Sequence, residues 1–486
     1  MHPSELHDYF HQLIRSRSRA SRDLIGLEFE NAAIVPARNA ENSYELPCGE
    51  PFPWVPLPMG AKSGVQRVLE EVIRKSPTEK PWIRLEEEQE DGGRMLLGIQ
   101  EPQGWNITVE PGGQLELSDA PRETLQQVHD SLRAHLVRVQ EALDLLEGRM
   151  LCMGVNPFFS PEQLPLLAKH RYRIMYDHMP KVGTLGRWMM KASSGVQVNL
   201  DYHSVEDLER KARVLNRAAP FLAALFANSP LTLGKVNGYQ SYRTHIWSDT
   251  DSTRSGLPEA FLKPNFRASD YVDWALNASS YLLKQDGHLI WTAGHSFREL
   301  MNGAMPGFVP EMSHWEAHLG MMFPDIRVKN IIEVRVFDSL PADWVIAIPA
   351  LLKGLVYHEA GLVGAEELLF PIKSESFVDL RQAAAKQAMK GEVGSVDLGD
   401  VGRRLMEIAL MALGSEEESW LLPYFEQFTK EKRTPADGVL ERFALSRGPA
   451  DWVEQEWNAT GFLEGRLPRN PIPVVSGPTP GVQAPN

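Results

Sequence analysis

The sequence predicts an α+β fold, with strands and helices mixed up to about residue 340 and helix following helix from there to about residue 462. Three observations predict it. Polar and apolar residues alternate over 25–30, 196–202 and 330–337, the period of half-buried strands. Apolar residues recur at helical spacing over 121–146 and 205–227. Beyond 341 the alternation gives way to helical spacing throughout.

The elements follow in order. An amphipathic helix is expected over 4–15 and a strand over 23–35. Residues 36–60 are rich in Pro, Asn and Gly and read as an irregular loop. A helix over 64–75 precedes strands over 95–100 and 105–117. The helix over 121–146, the strand over 196–202 and the helix over 205–227 come next. Residues 228–264 mix polar and aromatic side chains and read as a loop, and 330–337 is a last strand. No repeat and no composition break marks a linker. The chain therefore divides into an α+β body over 1–340, a helical region over 341–466 packed on the same body, and a tail. That tail, 467–486, carries six prolines and few large apolar side chains, a composition that predicts disorder.

With 486 residues and 43% hydrophobic content, the chain can build an ample core. A net charge of −14 and the absence of a long Lys/Arg run argue against nucleic acid or an anionic membrane as partner. Cys48 and Cys152 are the only cysteines, too few for a disulfide framework and not spaced as CxxC. Residues 1–22 lack the apolar core of a signal peptide, and no window approaches 18 uncharged apolar residues. A cytoplasmic protein is expected.

Four short stretches carry the chemistry. In Ile25-Gly26-Leu27-Glu28-Phe29-Glu30, strand alternation puts Glu28 and Glu30 on one face. Around Pro111-Gly112-Gly113, two alternating runs read as a hairpin whose polar side holds Thr108, Glu110, Gln114 and Glu116. Gln197, Asn199 and Asp201 share a face of the third stretch, and Glu333 and Arg335 share a face of the fourth. Each alone is compatible with an ordinary half-buried strand. Together they describe a polar sheet face with five Glu, amides and an arginine. Carboxylates so placed repel unless cations lie between them, and Mg²⁺ takes oxygen ligands and bridges phosphates. No Walker loop or dinucleotide fingerprint is present.

These residues sit within longer runs that resemble the plant-type glutamate–cysteine ligases, over about residues 23–358. The similarity is densest over 171–186, from Arg171-Tyr172-Arg173 to Val182-Gly183-Thr184, and over Val196-Gln197-Val198-Asn199-Leu200-Asp201. It continues through Gly234-Lys235-Val236-Asn237-Gly238 and Tyr242-Arg243-Thr244-His245-Ile246-Trp247. The resemblance implies a fold related to the glutamine synthetase catalytic domain, with an antiparallel sheet curled around the site. It implies ATP as co-substrate, two or more Mg²⁺ ions, and glutamate and cysteine as substrates. The product would be γ-glutamylcysteine, the first step of glutathione synthesis. Glu28, Glu30, Glu110, Glu116 and Glu333 stand at the implied metal positions, with Gln197 as a further ligand. Arg243 matches the arginine that holds glutamate, and Arg335 one that meets phosphate charge. Where such ligases carry Thr-Cys-Thr before Val-Gln-Val-Asn, this chain reads Lys191-Ala192-Ser193-Ser194-Gly195, and Arg335 is followed by Val336-Phe337 in place of Gly-Ala.

The chemistry explains the residue types. A carboxylate has no leaving group for an amine to displace until ATP converts it to an acyl phosphate. Cations then hold the mutually repelling anions in line. An Arg fork grips a carboxylate through two parallel bonds, which suits Arg243. Tyr242 and Trp247 are candidates to wall the glutamate pocket, and Trp247 is equally suited to the core. Arg171 and Arg173 either reach phosphate or form surface pairs. A monomer or homodimer is expected. A different amine acceptor, or an inactive relative that only binds, are the alternatives.

Overall fold

The computed structural model describes residues 2–18, 22–37, 44–46, 51–60, 64–88, 93–102, 104–285 and 287–460. The predicted Pro-rich tail and Cys48 lie outside the described residues.

A ten-stranded antiparallel sheet forms the frame. Its strands are β1 (Ile25–Pro36), β2 (Trp54–Pro56), β3 (Ile83–Glu88), β4 (Arg94–Gln100), β5 (Asn106–Val109) and β6 (Leu115–Ser118), then β7 (Arg149–Leu151), β8 (Gly195–Leu200), β9 (Ile326–Val328) and β10 (Ile332–Asp338). The order is β9-β10-β8-β1-β6-β5-β4-β3, and β2 and β7 both pair with the second half of β1. Strand β1 is thus central, and the alternation of its first half is met: Ile25, Leu27 and Phe29 are buried while Glu28 and Glu30 are only half-buried. Truncating the fully buried Phe29 to Ala should cost about 3–5 kcal/mol, the usual price of an aromatic-sized cavity.

The helices that matter to the site are α1 (Leu125–Asp144), α2 (His170–His178), α3 (Val205–Leu225), α4 (Tyr242–Ser248), α5 (Glu359–Leu369), α6 (Phe377–Gln387) and α7 (Leu398–Glu417). Thr124 and Ser204 start α1 and α3, each accepting a bond from the first-turn backbone, which satisfies an otherwise orphaned donor. Helix α3 packs on β10, and its second half is buried on all sides because α6 and α7 cover it. The C-terminal helices are tied on by polar links as well. Arg210 grips Glu366 with bonds of 2.8 and 2.7 Å, and the Tyr424 hydroxyl donates to the Leu225 carbonyl at 2.7 Å. No single helix among the described residues is long and apolar enough to cross a membrane.

Two sequence expectations are corrected. Residues 228–264 hold helix α4 and short strand pairings. Ser241 caps α4 by accepting from the Thr244 N–H at 3.2 Å, a signal masked by the aromatic run around it. Within 36–60, β2 pairs with β1 even though Pro56 ends it. Strand β3 and the three-residue β9 were too charged or too short to show a period.

Candidate active site

Register alone brings the predicted acids together. Glu30 of β1 lies opposite Glu116 of β6, and Glu116 lies opposite Thr108 of β5. On the other side Glu28 lies opposite Gln197 of β8, and Asn199 lies opposite Glu333 of β10. Directly opposed residues share a face. The run Glu116–Glu30–Glu28–Gln197–Asn199–Glu333 is therefore one polar surface crossing four strands. A bulge between Val196 and Val198 disturbs the ladder at Gln197, next to Arg335.

The surface has two electrostatic halves. In the acidic half, Glu30 accepts from the Gly195 N–H at 2.8 Å and from Gln197 Nε2 at 3.1 Å. Burial, then the Glu110 charge, lifts its carboxyl to about 7 against the pull of Arg243. Glu116 accepts from the Thr108 hydroxyl at 2.8 Å. Burial and the charges of Glu110, Glu30 and Glu28 push it well above the usual carboxylate range. Glu28 accepts from Asn199 Nδ2 at 2.9 Å and is raised by burial and by Glu333. Three carboxylates held above their ordinary values by burial and by one another are a surface short of positive charge.

The other half is cationic. Arg327 holds Glu333 with a fork, Nε to Oε2 at 2.6 Å and Nη2 to Oε1 at 2.7 Å, and Arg335 donates to the same carboxylate and to the side-chain Oε1 of Gln197. Burial opposes the charge on Glu333, but Arg327, Arg335 and Lys329 outweigh it and hold the carboxyl at about 2. Beside this half opens a small cleft, lined in part by Arg243, Trp247, Phe323, Asp325, Arg335 and Arg381.

Arg243 is 3% exposed, and its Nη1 donates to the Arg335 carbonyl at 3.1 Å. Its Nε is buried with no partner, as is Trp247 Nε1. Room for that guanidinium comes from Gly195, where a Cβ would stand 2.5 Å from Arg243 Nη2. The start of α4 is held by Asp338, which accepts from the hydroxyls of Ser229 at 2.7 Å and Ser241 at 2.9 Å. The Pro-Gly-Gly turn carrying Glu110 is pinned just as closely. Gln114 Nε2 donates to the Ser193 carbonyl at 2.8 Å, and a Cβ on Gly112 would meet the Lys191 carbonyl at 2.1 Å.

The predicted residues are sorted by this geometry. Glu28, Glu30, Glu110 and Glu116 share the acidic half. Gln197 and Glu333 are on the same face, where the Gln197 side-chain oxygen accepts from Arg335 and the Glu333 carboxylate accepts from both Arg335 and Arg327. Arg243, Trp247 and Arg335 line the cleft; Tyr242 does not, its ring packing on Trp188, Tyr239 and His245. Arg171 stacks 4.7 Å over Tyr172, bonds to its hydroxyl at 2.9 Å and feels the Glu110 charge, which places it at the acidic half. Arg173 is exposed and does not line the cleft. Sequence reasoning missed Arg327, Lys329, Asp325 and Arg381. Ile326-Arg327-Val328 does alternate, but over too few residues to stand out.

A sequence model of the glutamate–cysteine ligase family 2 matches residues 56–453. The chain belongs to this family. Among its relatives are the glutamate–cysteine ligases named chloroplastic from Solanum lycopersicum, 35% identical over 72% of this chain and 68% of that protein, and from Arabidopsis thaliana, 34% identical over 74% and 70%. Glutamate–cysteine ligase B from Oryza sativa subsp. japonica is 34% identical over 74% of this chain and 73% of its own length. A solved glutamate–cysteine ligase from Francisella tularensis in complex with AMP superposes with a TM-score of 0.49 and 13% identity, covering 91% of this chain and 90% of that one. Family membership fits the α+β architecture with its large antiparallel sheet.

Proposed function

We propose that the two halves of the sheet face divide the labour of an ATP-dependent ligation. The chain is a ligase that joins the γ-carboxylate of glutamate to the amine of cysteine. The γ-carboxylate oxygen takes the γ-phosphoryl group of ATP, ADP leaves, and a γ-glutamyl phosphate results. The cysteine amine then attacks the acyl carbon, phosphate departs with the C–O electron pair, and the amine loses a proton to give γ-glutamylcysteine. In this reading the cationic half receives glutamate. Arg243, with its Nε unpartnered and aimed into a buried setting, clamps the α-carboxylate, and Trp247 walls the cleft. Arg335, held from behind by Glu333 and Gln197, meets the transferring phosphoryl group at the boundary between the halves.

The acidic half would hold Mg²⁺. The donor set is all oxygen, and the raised Glu28, Glu30 and Glu116 lack countercharge, which fits a hard divalent cation. No three acidic or imidazole side chains among the described residues converge on a single ion position. Mg²⁺ commonly takes one or two carboxylates and completes its shell with water and substrate phosphate, so a pair such as Glu30 and Glu116 suffices. Bound there, Mg²⁺ would neutralise phosphate charge and orient ATP for in-line transfer. Arg171, which feels the Glu110 charge, would meet the outer phosphates. A reducing, cytoplasmic setting suits the half-buried Cys152, whose thiol is pushed up to about 12 by desolvation.

The observation that carries the reading is the carboxylate surface abutting an arginine-lined cleft. The test follows ADP release with glutamate and cysteine added separately and together, with the product identified by mass. Release that needs both, with γ-glutamylcysteine formed, supports the assignment. Release indifferent to cysteine, or cysteine inert while another amine reacts, overturns it.

A further inference from the structure

Among the described residues, the helical region after residue 341 reaches the cleft through a single side chain. Arg381 comes from α6, which packs on α3 and α4. Arg381 is buried, and its guanidinium spends its donors on both walls of the cleft. Nε and Nη2 form a fork on Asp325, at 2.8 and 3.0 Å, and Nη1 donates to the Ser248 hydroxyl. Asp325 belongs to the strand wall. Its carbonyl accepts from the Arg335 N–H at 3.0 Å, and its own N–H donates to the Gly256 carbonyl at 2.7 Å. Ser248 is the last residue of α4, the helix that carries Arg243 and Trp247, and its hydroxyl in turn donates to the Thr244 carbonyl at 3.0 Å. The two walls are joined directly by the Arg243 bond to the Arg335 carbonyl.

We propose that Arg381 is a positioning residue for the glutamate cleft: by gripping Asp325 and Ser248 at once, it fixes the spacing of the Arg335 strand and the Arg243 helix. The inference rests on the cleft being the glutamate site. Lys could supply the charge but not the planar three-way grip. An ion pair that merely fastened a helix would look different in its effects. Arg210 with Glu366 is such a pair: it also ties a C-terminal helix to α3, and it lies outside the cleft lining.

The test compares four variants of the full chain. In Arg381→Met with Asp325→Asn, both charges go together, so no buried ion is orphaned. Arg381→Lys and Ser248→Ala loosen the grip without removing Asp325. Arg210→Met is the remote control. KM for glutamate, KM for ATP, kcat and melting temperature are measured for each. The double variant and Arg381→Lys should raise KM for glutamate at least tenfold, and Ser248→Ala about threefold, with KM for ATP within twofold. Arg210→Met should lower the melting temperature and leave both KM values unchanged. If Arg381→Lys and Ser248→Ala keep KM for glutamate within twofold of the parent, or if the double variant only loses thermal stability as the control does, Arg381 is a fastening and the proposal fails. A parent enzyme that releases no ADP with glutamate and cysteine would sink the functional reading instead, a separate result visible before any variant is made.

Discussion

Gly195→Ala offers a quantitative test of the glutamate clamp. The added Cβ would lie 2.5 Å from Nη2, 2.8 Å from Cζ and 3.0 Å from Nε of Arg243. Carbon and nitrogen atoms rest comfortably at roughly 3.5 Å, so the guanidinium must move by about 1 Å. The present bond to the Arg335 carbonyl is 3.1 Å long, near the end of the useful range, and a shift of that size breaks or bends it. A buried charge-assisted bond is worth about 1.5–3 kcal/mol, and a 1 Å misplacement of a substrate-holding group costs on the order of 100-fold. Both routes give a fall in kcat/KM for glutamate of roughly 10–100-fold. The Gly195 N–H bond to Glu30 survives the substitution, so the acidic half should keep its ATP behaviour. Initial rates with glutamate varied at saturating ATP and cysteine, beside a melting curve, are the assay. A folded variant whose kcat/KM for glutamate stays within threefold of the parent would refute the idea that Arg243 and Gly195 form a fitted pair at the substrate site.

Arg243→Lys keeps the charge and loses the fork, and should cost about 2–4 kcal/mol in kcat/KM for glutamate, chiefly through KM; an unchanged KM would assign the α-carboxylate to another residue. Glu28→Gln removes charge at nearly constant volume and should cut turnover by several kcal/mol at saturating Mg²⁺ while the fold persists, so near-normal rates would exclude it from the metal surface. In metal-free protein, the raised Glu30 works in the opposite sense to most acids. Its folded pKa of about 7 lies above the ordinary value of 4.5, so its contribution to stability is complete below about pH 4.5 and is lost as pH rises through 7. The Glu30→Gln variant should therefore lose part of the parent's fall in melting temperature between pH 5 and pH 8; identical pH profiles would contradict the assignment. For the acceptor, a pocket that tells a thiol from a methyl by size alone gains only about 1–3 kcal/mol, so 2-aminobutyrate should react measurably but less well than cysteine. Complete inertness in the phosphate-release assay would mean that the thiol itself is recognised.

Alternation made the sheet face legible, because a strand's period fixes which side chains share a side whatever pairs beside it. Glu28 with Glu30, the Glu110–Glu116 hairpin, Gln197 and Glu333 could be put on one surface from spacing alone. Pairing order could not be read so directly. That β1 sits centrally, with β6 on one edge and β8 on the other, depends on contacts between segments more than 80 residues apart. Helix α4 was hidden for a local reason: seven residues make two turns, too few for a period, and its stability comes from the Ser241 cap and from Asp338 far along the chain.

Glu333 marks the limit of that reasoning. Spacing says which way Glu333 points but not what waits there. Arg327 reaches it from β9, a three-residue strand whose register with β10 sets Arg327 directly opposite Glu333. The fork that results removes Glu333 from the set of unneutralised carboxylates and turns it into the support of Arg335. Charge on the face is therefore segregated by strand pairing, acids around β1 and β6, arginines around β9 and β10. A reaction between two anions uses that segregation. In the proposed reading, the polyphosphate is met by cations that the carboxylates hold, and the amino acid carboxylate by fixed guanidinium groups. If the same residues were interleaved, each Glu would be neutralised by its neighbouring Arg and neither substrate would find the charge it lacks.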